Sequence, residues 1–261
     1  MRSLMSANFY RIWKSKIFYI ELLGTILVGI AESVVGAVQH RIHLSFGALV
    51  CVDSILFGYA LFVGFFTSIF CSLFIGTEYS DGTLRNKIIA GHKRESIYFS
   101  NLFTSIAAIL ILCVVYLVVV VAVGVPFMGG IAQSPAIILL KIFGTIILSI
   151  SFCSLFTMVS MLVPDKTIVA IIGLLATAFF SVVAFVLNDY SGWMREEHGI
   201  KYLTCTFFHS FLPMGQAIQY ADVDYNALPA ERIVAMILCS LLISVLSTVI
   251  GVRRFLEKSV K

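Results

Sequence analysis

Two carboxylates inside the first long apolar run are the residues of this sequence best placed to do chemistry away from water. Glu21 and Glu32 are eleven residues apart. On a helix that is three turns plus about 20°, so they share a face about 16 Å apart along the axis. Ionisable groups within a bilayer are costly and mark ion or substrate pathways. Both are therefore candidate translocation-path residues for a cationic or amphipathic substrate. Each also has a structural reading: Glu21 is near enough in sequence to pair with Lys14 or Lys16, and Glu32 can snorkel or meet Lys141. His40 and His43 form an H-x-x-H in a short outer loop. With no third ligand nearby they read as two solvated histidines rather than a zinc site. The chain has no GxxxxGK[ST] phosphate loop, so it does not cradle ATP by that route.

The elements that hold these residues follow from composition. Hydrophobic residues make up 60% of the 261 and charged residues only 12%, about half the charged share of a soluble domain. A mean hydropathy of +1.02 agrees. That much apolar surface has no place on a water-facing exterior, and a bilayer is the solvent that accepts it. A helix needs roughly 20 residues to cross the hydrocarbon. Six stretches satisfy this, at about 17–36, 54–76, 97–125, 136–163, 167–187 and 233–252. Pro126 and Pro135 bracket one short turn and Pro164-Asp165-Lys166 makes a tighter one, since proline ends a helical hydrogen-bond ladder. The six cysteines contain no CxxC pair and read as small buried hydrophobes. In the first run Thr25, Gly29, Ser33 and Ala37 recur every four residues, a ridge for close packing either within the bundle or across a dimer.

Basic residues fix an orientation. One side holds Arg2, Arg11, Lys14, Lys16, Arg85, Lys87, Lys93, Arg94, Lys166, Arg253, Arg254, Lys258 and Lys261, which is 13 residues. The other holds Arg41, Lys141, Arg195, Lys201 and Arg232, which is five. The positive-inside rule then places both termini and the loop 77–96 in the cytoplasm. The same excess explains the net charge of +4 without any nucleic-acid partner. Residues 1–16 mix Leu4, Phe9, Ile12 and Trp13 with Arg11, Lys14 and Lys16, the pattern of a helix lying on lipid headgroups with its basic face toward them. The 188–232 segment is long, acidic and aromatic, as suits an outer face.

The cytoplasmic loop reads TEYSDGTLRNKIIAGHKRES. Ser80 or Asp81 can cap a short helix opening at Gly82, and Gly91 can end it. Leu84 and Ile88 fall on one face of that helix, and Arg85, Asn86 and Lys87 cover the others. This is either a docking element for a soluble partner or a solvated loop. The string Glu78-Tyr79-Ser80-Asp81-Gly82-Thr83-Leu84-Arg85-Asn86-Lys87, then Gly91 and Lys93-Arg94, resembles the cytoplasmic loop of ABC-2-type transporter permeases, the six-helix membrane subunits of bacterial ABC exporters. The layout resembles theirs throughout, and Leu212-Pro213-Met214-Gly215-Gln216 is similar to that family's outer Pro-x-Gly-Gln stretch.

The resemblance implies an all-α polytopic fold, with residues 1–261 forming one transmembrane permease domain in a bacterial cell membrane. It implies an interfacial helix at 1–16, a coupling loop at 77–96 and re-entrant helices within 188–232. Glu78, Asp81, Gly82, Thr83, Leu84, Arg85, Asn86 and Ile88 would meet an ATP-binding cassette subunit. Pro213, Gly215 and Gln216 would form an outer gate. ATP and Mg would be bound by the partner subunit, with no cofactor or metal on this chain and no catalysis of its own. A second permease copy, identical or a close paralogue, would complete the pathway. Rival readings are a proton-coupled secondary transporter using Glu21 and Glu32, and a regulatory or assembly subunit. The first would need spans broken by glycine or proline, which the sequence does not reveal. A third rival rests on Glu196-Glu197-x-x-x-Lys201, similar to the Glu-Glu-x-x-x-Arg motif of intramembrane CAAX-type proteases. It departs at the basic residue and lies in a polar loop.

Overall fold

The computed structural model describes residues 2–45, 51–130, 133–193, 199–221 and 229–258, and every regular element among them is helical. The chain opens with α1 (Arg2–Lys14) and the first span α2 (Lys16–Ser45). A short α3 (Asp53–Leu56) leads into α4 (Tyr59–Ser80), and together these form the second span. Then come α5 (Thr83–Ile89), and three long helices: α6 (Arg94–Met128), α7 (Pro135–Leu162) and α8 (Lys166–Trp193). Two short helices, α9 (Ile200–Phe211) and α10 (Pro213–Ala221), precede the last span α11 (Ala230–Glu257). Among the described residues six helices are long and apolar enough to cross a membrane, as the hydropathy of the sequence requires. In lipid every backbone polar group must be satisfied within its own segment, which leaves helices as the solution for such runs.

The second span is the hub and the fifth the rim: 61% of the former's most apolar window is buried, against 22% of the latter's. α4 packs against α2, α6, α7, α8 and α10, and the most extensive helix pair is α7 with α11. Ser240, Ser244, Ser247 and Gly251 form the buried stripe of α11, small residues that let two backbones approach. The Thr25–Gly29–Ser33 ridge of α2 serves the same purpose inside the chain. Thr25 and Ser33 are buried, and a Cβ on Gly29 would sit 3.0 Å from Val119 of α6.

Three local expectations are corrected. Pro126 does not end its helix but lies within α6, which runs on to Met128 and stops at Gly129 with φ 78°. Placed in the last turn, the proline removes only one hydrogen bond. His40 and His43 lie on α2 rather than in a loop. The second span is interrupted, since Phe57 and Gly58 form a turn between α3 and α4. Asp165 does act at the tight turn: its Oδ1 accepts the Thr167 and Ile168 amides at 2.8 and 3.2 Å, capping α8. Glu196, Glu197, Asp222 and Asp224 lie outside the described residues.

Candidate functional site

The helix α5 is built by two glycines. Gly82 is its N-cap residue in the left-handed region, φ 67°, with no side-chain cap bond, so neither Ser80 nor Asp81 caps it as the sequence suggested. Ser80 Oγ instead donates back to the Thr77 carbonyl at 3.2 Å. Thr83 Oγ1 donates to the Glu78 carbonyl at 3.2 Å, satisfying the frayed end of α4. At the far end Gly91, φ 83°, closes a Schellman motif. Its amide bonds the Ile88 carbonyl at 3.0 Å and the His92 amide bonds the Lys87 carbonyl at 3.2 Å.

Rotation of α5 sorts its residues. Leu84 is 1% exposed and Ile88 half-buried, both turned into the membrane domain. Both pack the helix against its own protein. Thr83, Arg85 and Asn86 are exposed, as is Asp81 just before the helix. Ile89 is 72% exposed; it falls off the Leu84–Ile88 face and lies one turn from Arg85. The outward face is therefore an isoleucine flanked by Arg85 and Asn86.

Glu78 is the most connected of the expected site residues. Its side chain has no exposed area and is turned into the chain's own helices. Its Oε1 accepts from both Arg11 of α1 and Lys87 of α5. Its Oε2 accepts the Asn101 amide of α6 at 3.0 Å. Asn8 closes the ring: its Nδ2 donates to Asn101 Oδ1 at 2.8 Å and to Ser100 Oγ at 3.0 Å, and its Oδ1 accepts from Lys87 at 3.1 Å. Arg11 also donates to the Phe74 carbonyl at 2.8 Å and lies 3.8 Å above the Phe74 ring. One carboxylate thus ties α1, α4, α5 and α6 into a single body. The sequence assigned Arg11 to lipid headgroups, but it points inward; Tyr10, Trp13 and Lys14 form the exposed face of α1 instead.

A second set of bonds fastens the C-terminal end of α11 to the same place. Lys258 Nζ donates to the Tyr79 hydroxyl at 2.9 Å and to the Met161 carbonyl of α7 at 3.2 Å. Tyr79 itself donates to the Met161 carbonyl. Arg94, at the start of α6, donates to the carbonyls of Phe255 and Leu256 at 3.2 and 3.1 Å, and to that of Lys258. These last carbonyls of α11 have no partner within their own helix, so the guanidinium is a C-cap from another helix. Burial draws the Lys258 amine below its ordinary value. Both ends of the described chain are therefore fastened to the last turn of α4 beside α5, one through Glu78 and the other through Tyr79.

The other candidate residues lie away from α5. Glu21 is 4% exposed and neither carboxyl oxygen has a hydrogen-bond partner among the described residues; it faces the bundle interior instead of pairing with Lys14 or Lys16. Glu32 is held by the Tyr116 hydroxyl rather than by Lys141. In the segment before the last span, Pro213 opens α10 and Gln216 is fully buried. The Gln216 amide donates to the Ser210 carbonyl at 2.9 Å, and its Oε1 accepts from Ser240 of α11 at 2.5 Å. A Cβ on Gly215 would overlap the His209 carbonyl, so only glycine lets α10 fold against α9. The tight corner braces α11, and α9 exposes Ile200, Leu203, Phe207 and Phe208.

The match to known families is specific. A family model described as ABC-2 family transporter protein matches residues 4–193, which includes α1, α5 and the first five spans. The chain therefore belongs to the ABC-2 transporter family and is a multi-pass membrane transport component. Its α9, α10 and α11 lie beyond the matched residues. No curated protein matches the chain.

Proposed function

We propose that the chain is the permease subunit of an ATP-driven ABC exporter, in which α5 receives the motion of a separate ATP-binding cassette subunit. The observation that carries this is the rigid seating of α5 beside its open outer face. Force transfer needs a lever that does not bend, and Glu78, Arg11, Lys87, Asn8 and Asn101 bind α5 to three other helices. Moving α5 therefore moves α1, α4 and α6 as a body, a rigid-body switch between two arrangements of the spans. ATP and Mg belong to the partner subunit. Two copies of this 261-residue transmembrane domain, or one with a close paralogue, would enclose the pathway, with Glu21 and Glu32 in its walls and the Pro213–Gly215–Gln216 corner at its outer end. The termini would face the cytoplasm of a bacterial cell, and an amphipathic substrate (an antimicrobial peptide, a drug or a lipid) would move outward. Family membership and the two-faced α5 support this reading over a secondary transporter or a membrane protease.

The test is co-purification. Arg85→Glu combined with Ile89→Asp should release the ATP-binding subunit from the isolated complex and leave the thermal stability of the permease unchanged. Undiminished co-purification would remove α5 as the contact.

A further inference from the structure

The interrupted second span contains an arrangement that the coupling reading leaves unexplained. Between α3 and α4 the Gly58, Ala60 and Leu61 amides bond the Ile55, Phe57 and Gly58 carbonyls at 3.1, 3.0 and 3.0 Å. These are i to i+3 bonds, the tight 3₁₀ pattern that marks hinges when it occurs within a long helix. Two side chains from other helices converge on this joint. Tyr116 of α6, fully buried, brings its hydroxyl to 2.7 Å from the Ile55 carbonyl. The same hydroxyl meets the Glu32 Oε2 of α2. Gly58 leaves the space for this meeting, because a Cβ there would overlap the Glu32 carboxyl and stand 2.6 Å from the Tyr116 oxygen.

Counting protons shows what state this geometry requires. A phenol has one proton to donate, and a backbone carbonyl and an ionised carboxylate are both acceptors only. Tyr116 can satisfy one of them, not both. The two contacts are made together when Glu32 is the acid and donates to the Tyr116 oxygen while Tyr116 donates to the Ile55 carbonyl. We propose that Glu32 is a proton-binding site that latches the hinge of the second span. With the proton bound, the chain Glu32 to Tyr116 to Ile55 clamps the joint. On release of that proton to water, Tyr116 turns its hydroxyl to the carboxylate, the stronger acceptor, and the Ile55 carbonyl loses its side-chain partner. The ligand is one proton, exchanged at the end of the bundle opposite α5, and no other atom changes hands. The latch is independent of what drives transport.

The other ionisable groups around the joint come from each neighbouring helix. Cys113 lies one turn from Tyr116 on α6, and Tyr59 of α4 has its ring 5.7 Å from that of Tyr116. Asp53 of α3 accepts the Gln133 amide at 2.7 Å. Lys141 of α7 holds its Nζ 5.4 Å from the centre of the Phe57 ring.

Hydrogen exchange on the full chain in lipid nanodiscs, corrected for the intrinsic pH dependence of amides, tests the latch. Peptides covering 55–61 in the wild type should lose protection about fivefold as pH rises, the equivalent of about 1 kcal/mol for one hydrogen bond. Glu32→Gln, whose amide replaces the acid proton, should stay protected at every pH. Tyr116→Phe should exchange fast at every pH. Peptides covering 78–101 report whether each variant is folded. If one is not, infrared spectra of the Glu21→Gln protein decide: a protonated-carboxyl stretch that shifts in D₂O must vanish as pH rises. The proposal is overturned if wild-type protection at 55–61 does not change with pH, if Glu32→Gln keeps the wild-type dependence, if Tyr116→Phe is as protected as the wild type, or if that stretch is missing.

Discussion

Replacing Glu78 by Gln should destabilise the α5 end of the bundle far more than removing either of its cations, and the second change should partly reverse the first. The cluster holds one carboxylate and two cations. Arg11 and Lys87 share Oε1, which places them within about 5 Å of one another, where an effective dielectric of about 20 gives a mutual repulsion of about 3 kcal/mol. Glu78→Gln leaves that repulsion unbalanced. The Arg11 and Lys87 side chains keep 30% and 15% of their exposure, so water relieves part of it, and a loss of about 2–3 kcal/mol is expected. Lys87→Met leaves the Arg11–Glu78 pair neutral and should cost only about 1 kcal/mol. The double variant should then be more stable than Glu78→Gln alone, because one of the repelling cations is gone. Thermal unfolding in detergent gives the order of stabilities, and limited proteolysis of 81–93 reports the seating of α5. If Glu78→Gln is no worse than Lys87→Met, or if the double variant is the least stable of the three, the charge count is wrong.

Three further outcomes follow from local geometry and burial. Gly215→Ala should lower the thermal stability sharply, because the new methyl overlaps the His209 carbonyl. Gly82→Ala should cost only about 1 kcal/mol, since its Cβ meets nothing within 4 Å and only the left-handed backbone objects. Burial, with Arg232 adding to it, draws His209 from its ordinary 6.5 down to about 4. The folded protein then keeps this ring neutral while the unfolded chain charges it below about 6.5. Its contribution to stability is complete above that pH and fades as pH falls toward 4. Thermal inactivation measured across this window should show the decline, and His209→Gln should flatten it.

Much of this was legible from residue types. The apolar runs required six spans, and the glycines at 82 and 91 bounded α5 because their backbone freedom is needed there. What the sequence hid was rotation. Leu84 and Ile88 mark an apolar face, but a pattern does not say whether that face meets a partner or the helix's own protein. Ile89, one residue on, is the exposed one. The family resemblance placed Glu78 among the residues that would meet the ATP-binding subunit, and the sequence did not reveal that its cations arrive from Arg11 and Lys87, 67 and nine residues away. Asn8 and Asn101 carried the available signal: amides on the buried faces of otherwise apolar helices need partners. The hinge at Gly58 was hidden because a glycine inside an apolar run does not by itself break a helix.

The central claim is that α5 turns Ile89 outward to an ATP-binding subunit and Leu84 inward to its own bundle. A photo-reactive amino acid placed at position 89 in the assembled complex, with position 84 as the internal control, measures this directly. The account predicts a crosslink from position 89 to an ATP-binding protein and, from position 84, crosslinks within the permease alone. An ATP-binding protein captured equally from both positions, or from neither, would contradict it.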